Sequence, residues 1–263
     1  TIKRLLLAAV TVLIIAAITF FAMNAIPGGP FSKEKATDPT VQAMLEARFN
    51  LDRPVPEQFL IYMKNLLHGD FGISLKTGRE ISVTIRDSFA VSAKLGGMAA
   101  GLAVVLGLTL GSVAALTRNR WPDRVIIFLT TLFVSVPSFV LATLLLLVFC
   151  LILTWFSVFN PANPNYLLPV ISLMLYPMAY ITRLTKSSML DVLGQDYIRT
   201  ARAKGVRQSL VIFKHALRNA LIPVITYVGP MTAYILTGSM VVETVFTVGG
   251  LGTKFVSSIN NQD

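Results

Sequence analysis

The residues of this chain that could make or break bonds are few and scattered. Its two histidines, His68 and His215, are separated by long apolar runs, and its one cysteine, Cys150, sits inside such a run. That pattern supplies neither an intramolecular disulfide nor a cysteine-based metal site, and Cys150 reads as a small packing residue. Asp70-Phe71-Gly72 has the letters of a kinase magnesium loop, but no His-Arg-Asp or glycine-rich phosphate loop accompanies it. Gly249-Gly250-Leu251-Gly252-Thr253-Lys254 is glycine-rich and ends in lysine, yet lacks the Gly-Lys-Ser/Thr close of a nucleotide-binding loop. The reading is therefore of a chain that is no enzyme and binds no ATP itself. Positive charge is what clusters. Arg183–Arg218 holds Arg183, Lys186, Arg199, Arg202, Lys204, Arg207, Lys214 and Arg218 against only Asp191 and Asp196, a net +6 within a chain of +10. Its chemistry is that of docking.

The elements around this segment are membrane elements. Apolar residues make up 54% of the chain and charged ones 14%, against about a quarter charged in soluble domains. Apolar runs of about 20 residues cross a bilayer as helices, because lipid offers the backbone no hydrogen-bond partners. Five spans are expected, at 5–26, 92–116, 125–152, 167–185 and 219–242, giving an all-α polytopic fold. Lys3/Arg4, Arg118–Arg124 and Arg183–Arg218 then share one side, which the positive-inside rule makes cytoplasmic. The N-terminus is expected inside, and the charge-balanced segment Pro27–Ala90 outside, as a cap at 27–90. Pro27-Gly28-Gly29-Pro30 breaks the chain there, Val41–Phe49 and Glu57–Leu67 read as short helices, and His68–Gly72 reads as a turn. Ile81–Ser88 is an amphipathic lead-in to the second span.

The spans look built to pack and bend. Gly96, Gly97, Gly101, Gly107 and Gly111 let helices approach closely in lipid. Ser135-Val136-Pro137-Ser138 predicts a proline kink, and Pro223 and Gly229-Pro230 mark the fifth span. Away from their ends the spans lack charge, which argues against an ion-coupled transporter. Ser135, Pro137, Tyr176, Tyr180, Thr226, Tyr227 and Tyr234 are candidate pathway-lining groups able to meet a peptide backbone. The other reading of the tyrosines is helix packing. Glu243 and Lys94 are expected at span ends, reaching water, with a gating role for Glu243 as the alternative. In the basic loop, 186–218, Gly194 ends one helix, Asp196 is placed to cap a new one over Tyr197–Lys204, and Gly205 is a suitable stop. Eight residues are marginal as a free helix, so this one needs tertiary contacts or a partner. Phe213, Leu217 and Leu221 continue as a helical stripe.

Asp196-Tyr197-Ile198-Arg199-Thr200-Ala201-Arg202-Ala203-Lys204-Gly205, followed by His215-Ala216-Leu217-Arg218-Asn219-Ala220-Leu221-Ile222-Pro223, resembles the cytoplasmic coupling loop of binding-protein-dependent ABC importer permeases of the peptide and nickel branch. The general Glu-Ala-Ala pattern of that loop is here Arg199, Thr200, Ala201. Ala25–Phe31, His68–Gly72, Val91–Gly96 and Gly238–Glu243 running to Gly252 are similar to the B-type oligopeptide permease subunit, in order along nearly the whole chain. The resemblance implies a single type I ABC importer transmembrane domain over 1–263, in a bacterial inner membrane. It implies a second homologous permease, two ABC ATPases that bind the ATP and magnesium, an extracytoplasmic binding protein and a peptide substrate, with no cofactor in this chain and no nucleic acid. It also implies that Asp196, Tyr197, Arg199, Thr200, Ala201, Arg202, Ala203, Lys204 and Gly205 engage the ATPase. A sixth span and a cytoplasmic C-terminus are expected of the full family product. Nickel or another small solute, and a channel or scaffold working without ATPases, are the alternative readings.

Overall fold

The computed structural model describes residues 2–25, 50–160 and 163–261. It comprises two compact units, Thr1–Arg86 with Phe255–Asp263, and Asp87–Lys254. The predicted breaker at Pro27–Pro30 and the predicted helix Val41–Phe49 lie outside the described residues.

In the first unit, α1 (Ile2–Ala25) is free of charge from Leu5 onward and exposes apolar side chains all round, as a lipid-facing helix does. Near its end Phe20 and Phe21 pack against Phe59 and Tyr62 of α2 (Val55–Leu67), with ring centroids 5.2–5.6 Å apart. α2 starts two residues before its predicted boundary, because prolines at its cap and first turn cost no helical hydrogen bond. Glu57 in its first turn and Lys64 in its last match the helix dipole. His68–Gly72 is a turn as expected, with Asp70 Oδ1 accepting from the Gly72 N–H. Asp70-Phe71-Gly72 closes that turn.

Apart from an isolated bridge between Asn160 and Asn163, the regular elements among the second unit's described residues are helices. α3 (Ile81–Leu116) merges the predicted lead-in and second span into one 36-residue helix whose last thirty residues belong here. α4 (Trp121–Ser135) and α5 (Ser138–Leu146, continued by a π-helical turn to Ile152) stand where the proline-kinked span was expected. They meet at 100°. Pro137 forces Val136 into an extended conformation (φ −84°, ψ 127°) and offers no N–H to continue the ladder, so the chain breaks instead of kinking. α6 (Leu167–Leu193) runs eight residues past its predicted end to Gly194. Then come α7 (Asp196–Ala203), a π-helical stretch Val211–Leu217, α8 (Arg218–Leu236), α9 (Met240–Val245) and α10 (Leu251–Asn261), of which only the first four residues belong to this unit. α8 passes through Pro223 and Pro230 and ends at Thr237-Gly238.

A pair bent by 100° is either one broken crossing or a loop that returns to its own side. A single contact decides this. Asp123, in the first turn of α4, accepts a hydrogen bond from Lys186 near the end of α6. α4 therefore begins where α6 ends. The chain must cross between them, and α4 with α5 is one broken span.

α3 is the axis of this unit. A buried stripe recurs every three or four positions, Ser88, Ser92, Gly96, Ala99, Ala103, Gly107, Gly111 and Ala114, with Leu95, Ala100 and Ala115 buried beside it. The stripe is almost wholly small, so neighbouring backbones come very close. A Cβ on Gly107 would lie 2.6 Å from Ile181 Cγ2, and one on Gly111 2.6 Å from the Thr182 carbonyl oxygen. Of the five glycines expected at helix contacts, Gly97 and Gly101 face open space, because they lie off the stripe. Where the chain enters α8, the π turn shifts the register. Buried residues step by five from Val211 to Ala216 and by four to Ala220 and Val224. That shift turns Phe213 outward, off the helical stripe expected of it.

Gly111→Ala should therefore cost about 1–3 kcal/mol by overpacking against backbone. Gly101→Ala should be neutral or stabilising by up to about 1 kcal/mol through helix propensity. Thermal unfolding in detergent checks both, with the midpoint falling for the first variant and unchanged or rising for the second.

Candidate functional site

α7 is short and polar, and its C-terminal end is closed by backbone bonds. At its end the Val206 N–H donates to the Ala201 carbonyl (3.1 Å) and the Gly205 N–H to the Arg202 carbonyl (3.0 Å), a complete Schellman closure. Gly205 has φ +74°, a conformation that side-chain-bearing residues avoid, so the expected stop holds for a backbone reason. The start differs from expectation. Gln195 is the N-cap residue and makes no side-chain cap bond. Asp196 is instead the first helical residue, where its charge faces the helix dipole and sits 3.7 Å from Arg199 on an exposed surface.

The helix is held by two side chains. Ile198 is wholly buried and Ala201 nearly so, in a cluster with Ala115 of α3, Met189 of α6, and Val211, Ala216 and Ala220 leading into α8. The Tyr197 hydroxyl accepts from Asn219 Nδ2 at 2.9 Å. Asp196, Tyr197, Arg199, Thr200, Arg202, Ala203, Lys204 and Gly205 are exposed. Among the nine residues expected to meet a partner, Ala201 is the exception, since it faces the bundle. Ile198, absent from that set, is the anchor. The alternation of one apolar residue among charged ones was the available signal.

The pathway candidates divide. Tyr180 of α6 and Tyr227 of α8 stack at 4.3 Å between centroids, and Tyr176, one turn before Tyr180, is half exposed. Tyr234 is 74% exposed, two turns beyond Tyr227. Thr226 is exposed and donates its hydroxyl to the Ile222 carbonyl. Ser135 and Pro137 are exposed at the α4–α5 break. The structure thus joins Tyr180 to Tyr227 and leaves the others as separate exposed groups.

Glu243 departs most from expectation. Instead of reaching water it is 0% exposed. Oε1 accepts from Ser92 Oγ (2.7 Å) and the Ser239 N–H (3.2 Å), and Oε2 from the N–H groups of Gly252 (2.8 Å) and Thr253 (3.2 Å). Ser92 Oγ in turn accepts from the Leu251 N–H (2.8 Å). The carboxylate thus caps the N-terminus of α10 through space, where orphan N–H groups and the helix dipole favour negative charge. Gly250 leaves no room for a Cβ beside Ser92 and Glu243. The node lies on α3 about six turns from Ala115, which packs under α7. Lys94, one turn's reach away, is exposed with its ammonium 4.8 Å over the Tyr166 ring.

Residues 107–263 match the family described as binding-protein-dependent transport system inner membrane component, and residues 1–96 match the N-terminal component of such proteins. The chain belongs to this family. It is 46% identical over its full length to the dipeptide transport system permease protein DppB of Bacillus subtilis, of which it covers 86%. It is 45% identical over 99% of its length to the oligopeptide transport system permease protein OppB of Haemophilus influenzae, of which it covers 87%. A crystal structure of an amino acid ABC transporter with histidines shares the fold, with a TM-score of 0.53 at 16% identity, over 68% of this chain and 80% of that one. The chain is a multi-pass transmembrane permease of an ABC importer, with the type I importer fold.

In this permease both oxygens of Glu243 only accept. Glu243→Gln places an amide NH₂ against at least one N–H donor whichever way it turns, and should cost about 1–3 kcal/mol. Hydrogen exchange at the Gly252 and Thr253 amides should rise in this variant, while the amides of α7 stay unchanged.

Proposed function

We propose that this permease is one of two membrane-spanning subunits of an ATP-driven, binding-protein-dependent peptide importer. Near-full-length identity of 45–46% to a dipeptide and an oligopeptide permease carries the substrate class. The N-terminus is cytoplasmic. Support for this comes from the Asp123–Lys186 contact, which brings two basic loops to the same side. α7 then lies on the cytoplasmic face as the coupling helix, and a partner ATPase receives its exposed residues. ATP and magnesium are bound by the ATPases and supply the driving closure. An external binding protein delivers the peptide to a pathway shared with the second permease.

The carrying observation for coupling is the contrast between the two faces of α7. Its outer face is polar and open, while Ile198 and Ala201 are locked among α3, α6 and the start of α8. A rigid helix closed at its far end by a Schellman motif moves as a body. Displacement of α7 therefore reaches three packed helices at once, since close-packed cores shift between discrete arrangements instead of deforming smoothly. Along the pathway, the hydroxyls of Tyr176, Tyr180 and Tyr234 offer hydrogen bonds to a peptide backbone without charge, leaving side-chain selection to the binding protein.

Ala203→Trp puts bulk on the outer face of α7 with the core untouched. In the reconstituted assembly, peptide uptake should fall on the order of tenfold or more at normal permease abundance in the membrane. Unchanged uptake and unchanged ATPase stimulation would count against the coupling role.

A further inference from the structure

Asp123 is 5% exposed and belongs to neither the outer face of α7 nor the aromatic surface. Its Oδ1 accepts from Lys186 Nζ and its Oδ2 from the Asn119 N–H at 3.0 Å. Asn119 sits at φ +64°, in a tight turn where the Arg120 N–H donates to the Thr117 carbonyl at 2.9 Å. One carboxylate thus fixes the turn between α3 and α4, the first turn of α4, and a lysine on α6. The Lys186 side chain is four-fifths covered. An ion pair so enclosed is far less screened than a surface pair, and removing one partner leaves the other charge stranded.

The placement of the pair suggests what it does. Lys186 lies on the last two turns of α6, the segment that also carries Met189 under Ile198 of α7. α4, gripped at its first turn, ends at the 100° break at Val136-Pro137, beyond which α5 packs on α6 and α9. A helix held at one end and jointed at the other swings when the held end is pulled. Apolar contact between α4 and α6 permits sliding. A directional hydrogen-bonded ion pair resists it.

We infer that the Asp123–Lys186 pair is a positioning tie that makes α4 follow α7, so that a push on α7 opens the broken span as well as tilting α6 and α8. The inference rests on the coupling role proposed for α7. The tie touches neither substrate nor nucleotide. Losing it uncouples uptake from hydrolysis without removing either binding event.

The test uses the complete assembly, with both permeases, both ATPases and the peptide-loaded binding protein reconstituted in vesicles. Peptide uptake and ATP hydrolysis are measured on the same preparation. Asp123→Asn and Lys186→Gln should each lower peptide taken up per ATP on the order of tenfold with hydrolysis continuing. Lys186→Arg, which keeps the cation, and Asp123→Glu, which keeps the carboxylate, should recover most of that ratio. A wild-type ratio in Asp123→Asn overturns the inference, as do charge-keeping variants no better than the neutral ones. So does simple loss of assembled complex in both neutral variants, rescued by Lys186→Arg, because the pair would then be only a structural cross-link. Failure of the α7 reading is separately visible. Ala203→Trp would then transport normally, whereas failure of the tie alone leaves Ala203→Trp defective and Asp123→Asn normal.

Discussion

Close backbone approach along α3 is the constraint on which the second unit depends. In lipid there is no hydrophobic drive to bring apolar helices together, so association rests on dispersion contacts and interhelical hydrogen bonds. Both demand short distances. The stripe Gly96, Ala99, Ala103, Gly107, Gly111 and Ala114 supplies them by removing side chains from the contact line. At Gly107 and Gly111 the opposing atoms belong to α6, and at Gly96 to the end of α8. α3 therefore fixes the registers of α6 and α8 against itself, and so against each other. Tyr180 can stack on Tyr227 only because that mutual register holds.

The same helix connects the two polar ends. Ser92 reaches Glu243 at one end, and Ala115 packs under Ile198 at the other. At 1.5 Å per residue these points are about 35 Å apart. The ends differ in how they are held. At the Glu243 end a single carboxylate gathers backbone N–H groups from the chain on either side of α9, so loop, short helix and the first turn of α10 are clasped as one piece. At the α7 end the contacts are mostly apolar, and the polar ties are two side-chain pairs, Tyr197–Asn219 and Asp123–Lys186. One end is held by hydrogen bonds to backbone, the other mainly by apolar packing.

Much of this was legible in the sequence because it depends on local chemistry. Charge-free runs gave the spans, since lipid forbids unpaired backbone. Gly205 gave the stop of α7, since a left-handed residue is nearly obliged to be glycine there. Charge alternation placed Arg118–Arg124 and Arg183–Arg218 on one side, where Asp123 and Lys186 meet. The failures involve register or distant partners. Pro137 announced a distortion, but its size depends on whether neighbours hold the two halves straight. The π turn at 211–217 inserts one residue per turn without any marker residue, and so Phe213 turned out exposed. Gly97 and Gly101 share the composition of Gly107 and Gly111, and only helix phase separates them. Glu243 carries no local sign of burial, because its partner Ser92 lies 151 positions away.

These failures share a cause that bears on mechanism. A transporter of this class must have at least two packings of similar free energy, and the places where they interconvert are those where regular geometry is interrupted. The interruptions here include Val136-Pro137, the π turns at 147–152 and 211–217, and Gly238 at the end of α8. The π turn at 211–217 sits at the core beneath α7 and Gly238 at the Glu243 node, while Val136-Pro137 lies at the far end of α4 from the Asp123–Lys186 pair. An irregular backbone in a membrane needs its freed polar groups met by neighbours, so a joint calls for partners from other helices. Local pattern reveals the joint when a proline or glycine marks it. It cannot reveal the clasp, whose members are brought together only by the fold. The buried polar pairs Asp123 with Lys186 and Glu243 with Ser92, whose members lie 63 and 151 positions apart, are clasps of that kind.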